Sequence, residues 1–218
     1  MAQGTKMEVV DIDTWQRKEH FMFFKDMDSP FFNLCFDLDI TPLYQHIKQH
    51  NLPFYHGLIY YVMACVNSVE AFKYRYDHQR VVKHHALHPS FTVMNSDDEL
   101  FKIITVVNSH NFQQFVSDSR DQASTQTHMI DAQLQQRSDL VYITSIPWIS
   151  FTSIAHPISL AKFDAVPRIA WGKYKKEQGK VLLPFSVQAH HAFIDGIHIG
   201  KLTEAIEHNM VRLAEIFG

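Results

Sequence analysis

The segment KVLLPFSVQAHHAFIDG, residues 180–196, joins an apolar strand to the start of the last helix. Its first part, residues 180–190, concentrates apolar residues as a buried strand does. Two histidines, His190 and His191, then precede Asp195 and Gly196, where the chain turns into a helix. A junction of this kind holds side chains on rigid elements while they face a cleft. The segment therefore predicts a buried strand with a candidate site at its end.

Helices and strands alternate around this segment without a repeat or a linker. Residues 197–217 carry apolar residues at three- or four-residue spacing, which predicts a closing helix with one core face. Upstream, the polar turn 175–179 joins a strand over 167–174 to the strand over 180–190, as in a hairpin. Thr41 and Pro42 predict a helix cap and a first helical position. Further helices are predicted over 14–24, 41–49, 112–136 and, apolar throughout, from about 56; further strands over 31–39, 72–76, 90–95, 101–107, 140–146 and 149–154.

This pattern predicts the α+β class, as a two-layer sandwich in which a mixed, mostly antiparallel sheet is flanked by helices. A content of 46% hydrophobic and 20% charged residues is that of a packed soluble protein, and we expect one domain over residues 1–218. The most apolar stretch, residues 57–69, is shorter than the roughly 20 residues that span a membrane. We interpret it as a buried helix.

Charge and cysteine usage exclude several classes of function. The formal net charge is −3 with both signs interspersed, so there is no basic field to hold nucleic acid or an anionic membrane surface. Cys35 and Cys65 lie among apolar neighbours, which is typical of small buried hydrophobes in a reducing compartment. The N-terminus has neither the basic start nor the apolar core of a signal peptide. We expect a cytoplasmic protein without nucleic-acid or membrane partners.

The paired histidines admit two interpretations when only the residue types are considered. Histidine titrates near neutrality, so one ring nitrogen can take a proton from a hydroxyl while a hydrogen bond to the other sets the tautomer. Asp195 can orient that ring or its surroundings. Alternatively, His190 and His191 only pack, and Asp195-Gly196 forms a turn before the helix.

A second candidate segment, TSIPWISFTS at residues 144–153, brings several hydroxyl groups beside a proline and a tryptophan. One hydroxyl that donates to a developing oxyanion can lower a barrier by roughly 3 kcal/mol. Ordinary strand threonines and serines are the alternative. Because no Gly-x-Ser-x-Gly elbow occurs, direct acyl transfer is favoured over a serine nucleophile of the α/β-hydrolase type.

Metal and nucleotide chemistry have little support in the sequence. His84, His85 and His88 lie close together, but no Cys, Asp or Glu accompanies them at a familiar zinc spacing. The seven glycines include no Gly-x-Gly arrangement, so a phosphate-binding loop is not predicted. We expect no metal site.

An ordered set of segments extends over almost the whole chain: DTWQRKEHF (13–21), FY (54–55), HPSFTV (88–93), PWISFTS (147–153), GKY (172–174) and VLLPFSV (181–187). Together with the His-His-x-x-x-Asp-Gly motif, these segments resemble the trimeric chloramphenicol acetyltransferases almost from end to end. The ordered set is specific to that family. The His-His-x-x-x-Asp-Gly motif alone is weaker, because dihydrolipoamide acyltransferases and peptide-synthetase condensation domains carry related versions.

The resemblance implies an activity and an assembly. Acetyl-CoA would be the co-substrate, with no permanently bound cofactor, and chloramphenicol or a similar small hydroxylated molecule the acceptor, as in antibiotic resistance. His191 would be the general base that takes the proton of the acceptor hydroxyl. Asp195 would be structural and pair with Arg17 to hold the loop that bears His191. The assembly would be a homotrimer, with each active site between two subunits.

Further roles follow residue by residue from the same resemblance. Thr144 would stabilise the oxyanion, with Ser145 as an adjacent candidate, and Tyr174, Trp148 and Ser145 would bind the cofactor. The acceptor pocket would include Phe23, Phe24, Phe32, Thr92, His156 and Ala170. Five positions depart from the family pattern. Thr144 replaces a serine but retains the hydroxyl, and the other four change the side-chain chemistry: Phe24 replaces a tyrosine, Ala170 a threonine, His156 a leucine and Pro53 a lysine that approaches the CoA phosphate.

These departures leave two alternatives to chloramphenicol acetylation. The first is a related acyltransferase with another hydroxylated or hydrophobic acceptor. The second is a protein of the same fold that binds apolar ligands in its aromatic pocket and has little catalytic activity. Retention of His191, Asp195 and Arg17 argues against the second.

Overall fold

The computed structural model describes residues 6–77, 80–95, 98–107, 109, 111–158 and 164–218. Its strands are β1 (Met7–Val9), β2 (Phe31–Asp39), β3 (Tyr74–Asp77), β4 (Arg80–His84), β5 (His88–Met94), β6 (Phe101–Thr105), β7 (Leu140–Ile146), β8 (Arg168–Gly172), β9 (Lys175–Glu177) and β10 (Lys180–His190). Its α-helices are α1 (Lys18–Phe24), α2 (Thr41–Gln49), α3 (Phe54–Ser68), α4 (Phe112–Thr125), α5 (Gly196–Asn209) and α6 (Leu213–Phe217).

The larger of the two sheets that the described residues form is organised around β10. Its neighbours β2 and β8 both pair with it in the antiparallel direction, and the strand order is β2-β10-β8-β7-β5-β6. Strands β8, β7 and β5 are parallel to one another, whereas β6 is antiparallel to β5. Nearly every residue of β10 is buried, which explains why its sequence is almost continuously apolar. The predicted mixed, mostly antiparallel sheet is confirmed.

A layer of helices covers this sheet, with α3 in its middle. α3 contacts α2, α4 and α5, and it also packs on β5. Its buried residues include Leu58, Ile59 and Val62, which belong to the same core as Ile199 and Leu202 of α5. The predicted buried helix and the α+β class are thereby confirmed. Within the described ranges, no helix is long and apolar enough to span a membrane.

The connection between the parallel strands β7 and β8 is irregular where a strand over 149–154 is predicted, so that prediction is wrong. Its polar backbone groups pair with side chains and strand ends instead of a ladder. Lys173 N donates to Ile149 O over 2.8 Å, and the Asn33 side chain donates to Ile154 O. Further along, His156 N donates to the side chain of Gln188 in β10 over 2.9 Å. These bonds fasten the connection to β2, β8 and β10.

A second, three-stranded sheet has the order β1-β4-β3. Strands β1 and β4 are absent from the prediction, because both are short and carry charged residues. The strand predicted over 72–76 begins at Tyr74, since a 3₁₀ turn at Glu70–Lys73 precedes it and buries Ala71 and Phe72.

The predicted hairpin forms, but its turn is tighter than expected. β8 pairs with β10, and residues 175–177, predicted as turn, form β9 and pair with β10 as well. The reversal is confined to Gln178 and Gly179, whose φ angles of 50° and 80° are left-handed. Glycine accepts this conformation without steric cost, which stabilises the turn.

Several helix ends differ from the prediction. α1 begins at Lys18, and α4 ends at Thr125 instead of residue 136, because the side chain of Gln126 donates to Ile103 O of β6 over 3.0 Å. Thr41 is the first helical residue and not the cap; its hydroxyl donates to Asp39 over 2.6 Å and accepts from Val181 N over 2.8 Å. The closing helix is divided by a 3₁₀ turn at Met210–Arg212.

Candidate active site

His191 lies immediately after β10, at the edge where β2 begins. Its backbone N–H donates to Pro30 O over 2.7 Å, which ties the residue to the segment before β2. The imidazole stacks on the ring of Phe24 with centroids 4.1 Å apart and an interplanar angle of 12°. The ring of Phe32 lies 4.6 Å away. Two aromatic rings from α1 and β2 therefore fix the plane of the imidazole, while 34% of the side chain remains exposed.

A hydrogen bond to Asp195 orients the His191 ring. His191 Nδ1 lies 3.0 Å from Asp195 Oδ1. A carboxylate only accepts hydrogen bonds, so this contact places the proton of a neutral imidazole on Nδ1. Nε2 is then unprotonated, and no described residue forms a hydrogen bond with it. The arrangement leaves a basic nitrogen on the exposed part of the ring.

Arg17 holds both the carboxylate and the backbone of the same turn. Its guanidinium contacts Asp195 in a bidentate pair over 2.5 and 2.6 Å. It also donates to Ala192 O over 2.7 Å and to His191 O over 2.8 Å. The hydrogen bond from Arg17 lowers the pKa of Asp195, so the carboxylate is ionised when it accepts from His191.

Asp195 also caps helix α5. Its side chain accepts from the backbone at the third helical position, and His198 Nδ1 accepts the backbone N–H of Asp195 over 2.9 Å. This reciprocal capping arrangement satisfies donors that the first turn leaves unpaired. The resemblance assigns Asp195 a structural role; in the geometry the same carboxylate contacts Arg17, the helix terminus and the His191 ring.

His190 has a different environment from His191. Its side chain is buried among aromatic rings, and Nδ1 accepts the N–H of Ala192 over 3.2 Å. Burial lowers the pKa of His190 to about 4. A buried neutral ring of this kind packs and shapes the turn, which agrees with the packing interpretation for His190 but not for the more exposed His191.

A cleft of about 710 Å³ lies over strands β5, β6, β7 and β8. Six of the sequence-predicted residues line it together: Thr92, Thr144, Ser145, Trp148, His156 and Tyr174. Trp148 is 65% exposed, and Tyr174 contacts Phe54 across 5.7 Å between ring centroids. Hydroxyl groups and aromatic surfaces thus share one concave site, as small-molecule clefts commonly combine them.

The remaining predicted residues lie outside this cleft. Phe24 and Phe32 contact His191, and Phe23 is 66% exposed next to Phe24. Ala170 is fully buried in β8, between Thr144 and Ser186 in the sheet register, so its side chain offers no surface to an acceptor.

Sequence reasoning missed several cleft residues, although a signal for them existed. Ser90, Thr92 and Met94 alternate along β5, as Tyr142 and Thr144 do along β7, so each pair of neighbours shares one face of its strand. Ser90 and Met94 share a strand face with the predicted Thr92, and Tyr142 shares one with the predicted Thr144. The two-residue period of each strand would therefore have identified Ser90, Met94 and Tyr142 as cleft residues. The other lining residues include Tyr55, Phe101, Ile103 and Arg168.

His191 and Thr144 of one chain are distant from each other. Thr144 lies opposite Ala170, which lies opposite Ser186, so two strand spacings separate Thr144 from β10. His191 is five residues beyond Ser186. From the usual rise and spacing of strands, the two Cα atoms are roughly 15–20 Å apart. One chain therefore carries the histidine and the hydroxyl groups on two separate surfaces.

The other histidines that sequence reasoning considered for metal binding face different partners. His84 Nε2 contacts the Ser138 hydroxyl over 3.0 Å, and His85 lies 3.2 Å from Glu8. His88 lies 3.7 Å from Asp139. In the part of the chain that the structure describes, no group of three or more potential ligands could hold a metal ion.

Comparisons with known proteins agree with this architecture. Residues 5–207 match the family model described as chloramphenicol acetyltransferase. The chain is 30% identical to the chloramphenicol acetyltransferase of Bacillus pumilus over 88% of both chains. It is also 30% identical to that of Clostridium perfringens, covering 90% of this chain and 91% of the relative.

Solved structures share the fold at lower sequence identity. A chloramphenicol acetyltransferase superposes with a TM-score of 0.83 at 22% identity, over 94% of this chain and all of the other. The dihydrolipoamide acetyltransferase of Azotobacter vinelandii superposes with a TM-score of 0.67 at 16% identity, over 86% of this chain and 84% of the other. With a family model that matches almost the whole chain, relatives at 30% identity and this shared fold, the chain belongs to the chloramphenicol acetyltransferase family.

Proposed function

We propose that this chain is a chloramphenicol O-acetyltransferase, which transfers the acetyl group of acetyl-CoA to a hydroxyl of chloramphenicol. Family membership supports the reaction and both substrates. The observation that carries the assignment is the His191 imidazole, whose Nδ1 contacts Asp195 over 3.0 Å and whose Nε2 has no described partner. This is the protonation geometry that a general base requires.

The reaction begins when Nε2 of His191 takes the proton of the acceptor hydroxyl. The hydroxyl oxygen forms a bond to the carbonyl carbon of the acetyl thioester, and the carbonyl oxygen becomes an oxyanion. When this tetrahedral intermediate collapses, the carbon–sulfur bond breaks. The departing thiolate of CoA takes the proton back from the imidazolium, so His191 returns to its starting state without an acetyl-enzyme.

Thr144 is the proposed hydrogen-bond donor to the oxyanion, with Ser145 beside it. Both residues line the cleft at the end of β7. A hydroxyl held on a strand loses little freedom when the charge develops, which is why such a donor favours the transition state over the substrate. Trp148 and Tyr174 would contact acetyl-CoA in the same cleft, and Thr92 and His156 the acceptor.

A homotrimer would complete the site. The distance of roughly 15–20 Å between His191 and Thr144 of one chain is too great for both to act on one acetyl group. Apposition of the His191 surface of one subunit with the cleft of the next would bring them together. Phe23, Phe24 and Phe32 would then close the acceptor pocket from the His191 side.

The test is release of CoA thiol from acetyl-CoA in the presence and absence of chloramphenicol. We expect rapid chloramphenicol-dependent release, and a loss of about 10²–10⁴-fold in kcat for His191→Ala. His85→Ala is the matched control, because His85 is exposed, follows β4 of the smaller sheet and does not line the cleft. Turnover in His191→Ala equal to that of the control would refute the proposed base.

A related acyltransferase with a different hydroxylated acceptor is the second candidate. The observation that favours it is His156 on the cleft wall, whose buried Nε2 has no hydrogen-bond partner among the described residues. Measurement of kcat/KM for a panel of hydroxylated acceptors distinguishes the two candidates. A compound with a higher kcat/KM than chloramphenicol would replace chloramphenicol as the preferred substrate. Tight ligand binding without turnover of any acceptor would instead indicate a binding protein.

A further inference from the structure

Two lysines that have no acidic partner among the described residues flank the ring of Tyr44. Lys48 follows Tyr44 by one turn of α2, and its Nζ lies 5.7 Å from the ring centroid. Lys176 in β9 places its Nζ 4.8 Å from the same centroid. Neither forms an ion pair with a described residue, in contrast to the lysines that do: Lys18, Lys25, Lys83 and Lys180.

An aromatic cluster connects these lysines with the cleft. The centroids of Tyr44 and Tyr174 are 5.3 Å apart, and those of Tyr44 and Phe54 are 5.9 Å apart. Phe54 and Tyr174 line the cleft, whereas Tyr44 contacts both rings and does not line the cleft itself. The two ammonium groups are therefore close to the part of the cleft that Tyr174 lines.

The surface around this cluster is basic in a chain whose net charge is −3. Lys173 and Lys175 flank Tyr174 in sequence, and Lys173 also lines the cleft. The nearby carboxylate of Asp39 contacts Lys180 and Thr41, and Glu177 is exposed beside Lys176. Two ammonium groups at one ring repel each other, and an anionic ligand would relieve that repulsion.

We propose that Lys48 and Lys176 bind the nucleotide phosphates of acetyl-CoA, and that Tyr44 holds both side chains in place for this contact. The inference rests on the proposed function, because it takes acetyl-CoA as the ligand. The acetyl-pantetheine end enters the cleft past Tyr174, and the phosphates remain outside it against the two ammonium groups. Pro53, where the family resemblance implies a phosphate-binding lysine, contributes no charge here.

The experiment compares Lys48→Met, Lys176→Met and the double variant with the wild-type enzyme. We expect the KM for acetyl-CoA to rise roughly tenfold in the double variant, with kcat unchanged. With acetyl-pantetheine, which lacks the nucleotide, the variants and the wild type should have the same KM. Lys180→Met is the control, because Lys180 belongs to the same β9–β10 hairpin but pairs with Asp39.

Acetyl-dephospho-CoA, which lacks the 3′-phosphate and keeps the diphosphate, shows which phosphate group the two lysines contact. If the variants no longer differ from wild type with this substrate, the lysines bind the 3′-phosphate; if the difference persists, they bind the diphosphate. The proposal is overturned if the double variant keeps the wild-type KM for acetyl-CoA, or if its KM rises equally for acetyl-pantetheine. Calorimetric titration with CoA measures the affinity of the wild type and of each variant for the cofactor without any acceptor. Loss of CoA affinity in the double variant therefore supports the contact even if chloramphenicol is not acetylated.

Discussion

At the scale of single residues, the carboxylate of Asp195 has three partners at once. It accepts two hydrogen bonds from Arg17, lies 3.0 Å from His191 Nδ1, and accepts from the backbone in the first turn of α5. Arg17 in turn donates to the carbonyls of His191 and Ala192. One ion pair therefore sets the position of the turn and the tautomer of the proposed base.

The substitution Asp195→Asn removes the negative charge of the side chain and nearly preserves its shape. The amide retains an oxygen acceptor but leaves Arg17 without a counter-charge, so we expect the free energy of unfolding to fall by about 1–3 kcal/mol. The loss is smaller than for a fully buried pair, because the two side chains are 14% and 26% exposed and water screens their interaction. We also expect a lower kcat, since the weaker acceptor holds Nδ1–H less firmly. Chemical denaturation and steady-state kinetics measure the two effects.

The pH dependence of this difference has a definite sign. Because the folded state lowers the pKa of Asp195 below its ordinary 3.8, the stabilisation is complete above that value and is lost as the pH falls through the lower folded pKa. The gap in stability between wild type and Asp195→Asn should thus be constant at neutral pH and shrink in acid. Asp13→Asn, at an exposed pair with Lys18, should leave stability and kcat unchanged. A gap that widens in acid would contradict the assignment.

At the scale of elements, the shape of the cleft depends on how closely residues 147–151 approach the end of β8. A Cβ built on Gly172 would lie 2.6 Å from Ile149 O, and the ring of Phe151 would be 3.0 Å away. Only glycine permits this approach, which also allows Lys173 N to donate to Ile149 O. Trp148 and Gly172 both line the cleft, so the contact positions part of its wall.

Gly172→Ala and Gly200→Ala form a matched pair of substitutions. We expect Gly172→Ala to destabilise the fold by about 1–3 kcal/mol and to raise the KM for acetyl-CoA, because the backbone of 147–151 must move outward. Gly200 lies inside α5 with open space around its Cα, so alanine there should stabilise by about 0.5–1 kcal/mol. Thermal unfolding and kinetics on both variants check this. Equal changes in stability and in the KM for acetyl-CoA at the two positions would show that the close approach of residues 147–151 to Gly172 does not determine the shape of the cleft.

At the scale of the whole molecule, the proposed base and the proposed oxyanion donor belong to different surfaces. β10 delivers His191 to the β2 edge, whereas β7 delivers Thr144 to the cleft, and two strand spacings separate them. A single chain therefore carries the base and the oxyanion donor on separate surfaces, so that neither surface forms a complete site. This division predicts that catalysis requires assembly.

Mixed oligomers test the division directly. His191→Ala and Thr144→Val are each expected to be nearly inactive alone. When the two are unfolded, mixed in equal amounts and refolded, random trimers should recover about a quarter of the wild-type activity, because that share of interfaces joins an intact histidine to an intact threonine. Size-exclusion chromatography confirms the oligomeric state, and each variant refolded alone is the control. If the mixture stays as inactive as its components, the site does not lie between subunits.

Local patterns in the amino-acid sequence account for most of the helices and strands and for the resemblance to the family. Apolar periodicity predicted β2, β7, β10 and the helices α2 and α3 close to their observed bounds, because local burial patterns depend on the residues themselves. The order of motifs indicated the family, and this resemblance implied the roles of His191, Asp195 and Thr144, because their residue types alone also agreed with simple packing. Short charged strands such as β1 and β4 have no such pattern and were missed.

Contacts between distant segments depend on the fold and could not be predicted from local patterns. Alternation along 149–154 matches a strand, but close packing against Gly172 and bonds to Asn33 make that segment irregular. Asp195 contacts both Arg17 and His191 because strand β10, helix α1 and helix α5 converge at one turn. The separation of His191 from Thr144 likewise follows from strand order, which depends on pairings between distant segments that no local pattern encodes.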